Sequence, residues 1–260
     1  MTEPPGSQSP PDKQTKNLAA LQSATGDLDS FAAISPKFAA LRARFEVIVQ
    51  EITIGGRLWR LARPRSADAL IDEEAFQRDG RIPYWADVWT SSQTLAEELV
   101  KRAGGEAPDD EPRGGRLLEL GCGVGFSSLV AAGLGYDVVA TDYYAEALDF
   151  VAANAELNGL ANVATRILDW RKPADDLGTF DVVAAADVLY ERPNVPLVAA
   201  MFARYMGPRG VGYCSDPERR VASAFPDECR KLGLTVNCFI RATPDAGGGM
   251  KDIDWYVVKR

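Results

Sequence analysis

The chain has 260 residues, 46% of them hydrophobic, with 29 Lys and Arg against 37 Asp and Glu, a formal charge of −8, and no histidine. The missing histidine excludes Ser-His-Asp and Cys-His catalysis, histidine-bearing zinc sites and an imidazole base, whereas 10 Phe, 8 Tyr and 5 Trp suffice for a real core. At about 150 residues per domain the length predicts one large domain, or one domain with an appendage, and the acidic balance argues against a general grip on nucleic-acid phosphates.

Residues 1–17 carry Pro4, Pro5, Pro10 and Pro11 among polar side chains, and the alanine-rich stretch from Leu18 to about Leu41 has poor periodicity. Residues 1–40 therefore read as a largely disordered or weakly helical leader. Phe45–Ile54 alternates as a strand does, Gly55-Gly56 signals a turn, and Arg57–Leu61 pairs back, so residues 41–80 form a small N-terminal β elaboration. Cys122, Cys214, Cys229 and Cys238 show neither a CxxC pair nor a metal-ligand spacing, which predicts reduced, mostly buried thiols and no metal. No run of about 18 apolar residues exists, and the first residues lack the basic and apolar regions of a signal peptide, so the expected address is the cytoplasm, away from membranes.

From residue 81 onward the pattern is regular. Ser91 or Ser92 is placed to cap a helix reaching about Arg102, with Leu95, Ala96 and Leu99 on one face, and Ala103–Gly115 is a polar Gly/Pro loop that reads as solvated filler. Strands are predicted at Arg116–Leu120, Asp137–Thr141, Val163–Leu168, Asp181–Ala186, Gly210–Ser215, Leu234–Ile240 and Asp254–Val258. Helices are predicted to begin near Phe126, Ala145, Asn194 and Pro217; Asn158-Gly159 stops the second, and Pro226 splits the last. This alternation implies right-handed βαβ crossovers and hence an α/β fold, a seven-stranded, mostly parallel sheet covered on both faces. The final strand follows a loop rather than a helix and should run antiparallel to its neighbour. Gly247–Gly249 should then lie on the carboxyl rim of the sheet, either as a gate or as a mobile hairpin.

The sharpest motif is Leu117-Leu118-Glu119-Leu120-Gly121-Cys122-Gly123-Val124-Gly125-Phe126, a strand that runs into three alternating glycines and then a helix. Glycines let the backbone turn tightly and approach a ligand, and the helix start offers unpaired N–H groups. A dinucleotide loop would need glycine where Phe126 stands, and a phosphate loop would need a following lysine. The spacing, with Glu119 two residues before Gly121, resembles the E/D-x-G-x-G-x-G signature of class I S-adenosylmethionine-dependent methyltransferases, with a Rossmann-like fold over residues 81–260. About twenty residues on, Asp142 ends the next strand, where a carboxylate can accept from ribose hydroxyls. Asp169 at the following strand end can accept from an exocyclic adenine amine, and Trp170 offers the base an apolar wall.

Ala186-Asp187-Val188-Leu189-Tyr190 and the tryptophan-containing segment Tyr84–Trp89 are similar to segments of the family-16 protein methyltransferases, which include lysine methyltransferases acting on the electron-transfer flavoprotein beta subunit, on chaperones and on translation factors. The chain departs from many of these relatives in carrying Thr90-Ser91-Ser92 after that tryptophan. The resemblance implies S-adenosyl-L-methionine as cofactor, with contacts at Trp89, Gly121, Cys122, Gly123, Asp142, Trp170 and Ala186, to which Glu119, Gly125 and Asp169 are added from the residue reading. Asp187 and Tyr190 would border the methyl-acceptor channel as catalytic residues, Asp187 holding an incoming amine by a hydrogen bond and Tyr190 stacking on its stem. The expected function is protein-lysine N-methylation of a soluble partner, with no nucleic acid or membrane partner. The alternatives are a small-molecule N- or O-methyltransferase and a non-catalytic cofactor-binding module.

Overall fold

A computed structural model of the chain describes residues 28–70, 83–108, 111–245 and 248–260. The predicted leader lies mostly outside these residues. Two short helices, α1 (Leu28–Ile34) and α2 (Pro36–Arg42), precede a hairpin of β1 (Val47–Ile54) and β2 (Arg57–Pro64). Gly55 and Gly56 both take positive φ, 60° and 74°, the requirement of a two-residue turn matched to strand twist. One edge of β2 is closed by a helix rather than a strand. The side-chain amide of Asn154 accepts from the Ala62 N–H (2.7 Å) and donates to its carbonyl (3.0 Å), and Asn158, one turn further, does the same for Arg60 (3.0 and 2.6 Å). Two amides at i, i+4 thus meet alternate residues of the strand, and the hairpin is tied to the main domain without continuing its sheet.

The main domain runs α3 (Thr90–Lys101), β3 (Arg116–Leu120), α4 (Phe126–Gly133), β4 (Asp137–Asp142), α5 (Ala145–Leu157), β5 (Val163–Ile167), β6 (Phe180–Ala186), α6 (Asn194–Tyr205), β7 (Met206–Asp216), α7 (Phe225–Lys231), β8 (Thr235–Pro244) and β9 (Met250–Lys259). The sheet order is β5-β4-β3-β6-β7-β9-β8. Every pairing is parallel from β5 through β7; β9 runs antiparallel to both β7 and β8, so β8 keeps the common direction. Residue alternation along the strands divides the core. Leu118, Leu120, Val183, Ala185 and Cys214 pack with α6 and α7 on one face. Leu117, Val138, Ala140, Val182, Ala184 and Tyr213 pack with α3, α4 and α5 on the other. Among the described residues no helix is long and apolar enough to cross a membrane.

Several sequence expectations are corrected. The last helix begins at Phe225 rather than near Pro217, and Pro226 sits in its first turn, where its missing N–H costs nothing, instead of splitting it. Residues after β7 form a turn instead, with the Arg219 N–H donating to Asp216 Oδ1 (2.9 Å). Neither Ser91 nor Ser92 caps α3, whose N-cap is Trp89; Ser92 Oγ donates to the Trp89 carbonyl (2.7 Å). The loop after α3 is not mere filler. Its Glu111 is buried, accepts from the Tyr213 hydroxyl (2.8 Å) and pairs with Arg102 and Lys259 (3.3 Å to the latter). The β8–β9 turn is at the carboxyl rim, closed by the Asp245 N–H to the Gly249 carbonyl (2.9 Å), but Gly247 lies outside the described residues.

Candidate active site

The chain winds outward from β3 through β4 to β5 and then returns to β6 on the other side of β3. That reversal leaves a crevice beyond the carboxyl ends of β3 and β6, where open α/β sheets place their ligands. A cavity of about 380 Å³ occupies it. Of the ten expected cofactor residues, nine line it: Trp89, Glu119, Gly121, Cys122, Gly123, Asp142, Asp169, Trp170 and Ala186. Asp187 and Tyr190 line the same cavity. Gly125 does not. It is the N-cap of α4 at φ 89°, and a Cβ there would stand 2.7 Å from Val151, so the third glycine serves the contact between α4 and α5. No described residue of the β8–β9 turn reaches the cavity.

The glycine loop is shaped by what surrounds it. At Gly121 (φ 66°) a Cβ would come within 2.9 Å of Val188 and 3.3 Å of the Trp170 indole, and at Gly123 (φ 54°) within 3.0 Å of the Trp85 carbonyl. Both are positions where the ligand cavity meets backbone with no room for a side chain. Asp142 holds the loop: one carboxylate oxygen accepts from the Gly123 N–H (2.9 Å) and the other from the Tyr144 N–H (3.0 Å). Burial raises its pKa, and these backbone donors offset part of the rise. Glu119 is 1% exposed and accepts from the Ser128 hydroxyl. Burial pushes it up to about 7, against the lowering by the hydroxyls of Ser128 and Ser127. Burial likewise keeps the Cys122 thiol protonated, so it is a lining group and not a nucleophile. Asp169 is drawn the other way, its carboxylate held below the usual range by the Arg171 guanidinium at 2.8 and 2.9 Å.

The side of the cavity around Asp187 and Tyr190 is built differently. Asp187 follows β6 in the left-handed region at φ 60°, a conformation aspartate tolerates better than most residues. Its Oδ2 accepts from Ser91 Oγ (3.1 Å) and its Oδ1 pairs with Arg219, which also reaches Asp216 Oδ2 at 3.1 Å. Tyr190 is at the mouth, edge-on to Tyr84 with ring centroids 5.5 Å apart, and Tyr84 is edge-on to Trp89 at 6.0 Å. The Trp89 indole N–H donates to the Tyr84 carbonyl (2.9 Å), which fixes this aromatic rim. Burial pushes the Tyr190 phenol up to about 12.

Sequence reasoning missed Tyr84, Ser91, Asp216 and Arg219. Tyr84 carried a signal, an aromatic within the tryptophan-containing segment. Arg219 carried none, since it stands 32 positions after its partner Asp187 in a turn no periodicity marks.

A family model described as lysine methyltransferase matches residues 74–225. The chain is 30% identical over 143 residues to EEF1A lysine methyltransferase 3 of Mus musculus, covering 54% of this chain and 58% of the relative. It is 29% identical over 153 residues to the electron transfer flavoprotein beta subunit lysine methyltransferase of Xenopus laevis, covering 55% and 56%. A 104-residue stretch is 38% identical to nocamycin O-methyltransferase of Saccharothrix syringae, covering 38% and 37%. The chain thus spans between a third and three fifths of the length of these relatives. Among solved structures, a methyltransferase from Pyrococcus horikoshii superposes with a TM-score of 0.52 at 17% identity, covering 68% of this chain and 88% of that one. The ribosomal protein L11 methylase of Lactobacillus delbrueckii subsp. bulgaricus gives 0.50 at 19%, covering 65% and 78%. At these identities the likeness is one of fold.

Proposed function

The chain belongs to the lysine methyltransferase family whose model spans residues 74–225, and on that premise we propose that it is an S-adenosylmethionine-dependent methyltransferase acting on a lysine side chain of a protein. The cavity suits the cofactor: a cradle without side chains at Gly121 and Gly123, an indole wall at Trp170, and carboxylates at Glu119 and Asp142. When bound, the cofactor supplies a sulfonium methyl that needs no further activation. The chain's own residues then bind, orient and exclude water.

Asp142, held by the Gly123 and Tyr144 N–H groups, has acceptor capacity left for ribose hydroxyls. Glu119, near 7, is divided between acid and carboxylate at neutral pH, and can both donate and accept. Trp170 and Ala186 provide apolar surface for the base, and Trp89 closes the rim. An acceptor amine reaches the cavity past Tyr84 and Tyr190, whose rings pack on the aliphatic stem of a lysine. Asp187, fixed by Ser91 and Arg219, accepts a hydrogen bond from that amine. The nucleophile is the neutral amine, because an ammonium has no lone pair, and the proton departs to water before attack. Tyr190 stays protonated far above neutrality and is not the base. Holding amine and methyl in line supplies most of the acceleration.

The observation that carries this reading is the junction of the glycine loop and Asp187-x-x-Tyr190 in one cavity at the switch point of the sheet. The four unpaired cysteines support a cytoplasmic address. A second reading, methyl transfer to a small molecule, is favoured by the identity with nocamycin O-methyltransferase. Incubating a host lysate, freed of small molecules, with tritiated cofactor and mapping the label by mass spectrometry separates the two. Label on lysine is expected; label in no protein would move the assignment to a small-molecule acceptor. Calorimetry showing no cofactor binding would leave only a non-catalytic module.

A further inference from the structure

Arg219 does not line the cavity, yet it grips Asp187, a carboxylate that does. It approaches Asp187 from the turn after β7 and joins it to Asp216, which is wholly buried. Ser91, on α3, donates to the other Asp187 oxygen, and the Ser91 carbonyl in turn accepts from Ser215 Oγ (2.8 Å), the residue before Asp216. The Asp187 N–H donates to the Ser215 carbonyl (2.9 Å). Three elements therefore converge on Asp187, which also lines the cavity. Across the β7–β9 ladder Asp254 stands opposite Asp216, accepts from the Tyr256 hydroxyl (2.9 Å) and brings no cation. Two carboxylates, Asp187 and Asp216, thus share one guanidinium; burial pushes the Asp216 carboxyl up against the lowering by Arg219, and with both carboxylates ionised the cluster carries one negative charge in a largely buried place.

We propose that Asp187, Asp216 and Arg219 act as one charge device that selects an amine acceptor over an oxygen acceptor, with Arg219 and Asp216 as positioning residues behind Asp187. This rests on the lysine reading and gives it a cause. As the N–CH₃ bond forms and the S–CH₃ bond breaks, the bonding pair stays on sulfur and positive charge appears on nitrogen. The surplus negative charge beside that nitrogen attracts the ammonium at encounter and stabilises the charge that develops. An oxygen acceptor reacts as an anion that becomes neutral, so the same surplus opposes its approach. A fully balanced cluster, one guanidinium to one carboxylate, would not distinguish the two. The departure Thr90-Ser91-Ser92 falls in place here: Ser91 supplies the hydroxyl that fixes Asp187 without adding charge.

The test uses the full chain, tritiated cofactor and a peptide carrying the lysine identified in the lysate. Asp216→Asn keeps an oxygen acceptor for the Arg219 N–H but neutralises the cluster. It is expected to raise the peptide KM about tenfold and to lower kcat about tenfold. Arg219→Gln frees Asp187 and is expected to lower kcat at least tenfold, with Arg219→Lys restoring it to within about threefold of wild type. Cofactor affinity by calorimetry should stay within twofold in all three. If Arg219→Gln does not fold, Asp216→Asn decides alone. Wild-type KM and kcat in Asp216→Asn, or in both variants, would overturn the inference while leaving lysine methylation intact. A wild-type protein that binds cofactor and labels only oxygen acceptors would overturn both.

Discussion

Within the cavity, the carboxylates on β3 and β4 are held by different means from Asp187 after β6, which, like Asp169, has a guanidinium partner. On the cofactor half, Glu119 and Asp142 are buried and held by hydroxyl and backbone N–H donors, and burial raises the pKa of both. On the acceptor half, Asp187 is held by a guanidinium as well as a hydroxyl. Neutral donors fix an orientation while leaving a group free to exchange protons and accept further hydrogen bonds. A guanidinium sets an opposite charge beside the carboxylate. The first suits a polar ligand rich in hydroxyls; the second pins the position of a carboxylate.

The contrast can be broken from either side. The largest effect is expected on the acceptor half: Asp187→Asn should cut turnover about 10²- to 10³-fold with cofactor affinity unchanged, checked by single-turnover kinetics beside calorimetry. A matching loss of cofactor binding would show that the halves are not separate. On the cofactor half, Gly121→Ala sets a Cβ against Val188 and Trp170 at a positive φ, and should weaken cofactor binding about 10- to 100-fold. Gly125→Ala is the control, since it clashes with Val151 instead. Its cost of about 1–3 kcal/mol should appear in denaturant unfolding and not in cofactor affinity.

A smaller effect sharpens the difference in protonation. Glu119 is raised from 4.5 to about 7 by burial. Below pH 4.5 it is protonated whether folded or unfolded. As pH rises toward 7 the unfolded chain releases the proton first, so the stability this group contributes is present at low pH and lost on rising through the folded value. The loss is at most about 3 kcal/mol. Urea unfolding of the cofactor-free protein between pH 4.5 and 7.5 should show this decline, and Glu119→Gln should flatten it. The smallest effect is expected at Tyr190. Tyr190→Phe should leave turnover within about threefold, with no change in its pH profile below 9, because the phenol at about 12 does not titrate there. A lost alkaline limb would assign it a proton-transfer role.

Much of this was legible in residue order. β3 begins and ends where the apolar run Arg116–Leu120 does, α4 and α5 begin at Phe126 and Ala145 as read, and the glycine loop with Asp142 lies within one βαβ unit, whereas Trp89, Asp169, Trp170 and Ala186 come from outside it. Its parts are local: glycines, strand ends and helix starts a few residues apart, each legible from backbone preference and hydrophobic period. The N-terminal hairpin was legible as a hairpin but not as an attachment, because its edge is met by Asn154 and Asn158, 92 to 98 positions away.

What the sequence determined, then, is the fold and the glycine-loop side of the cavity, since both follow from short-range pattern. Only the tertiary structure decided the acceptor half. There Ser91, Asp187 and Arg219 come from three separate segments, brought together because β6 and β7 are neighbours in the sheet and α3 packs across their ends. Charge pairing at that distance along the chain leaves no period to read. It exists only once the strands have found their order.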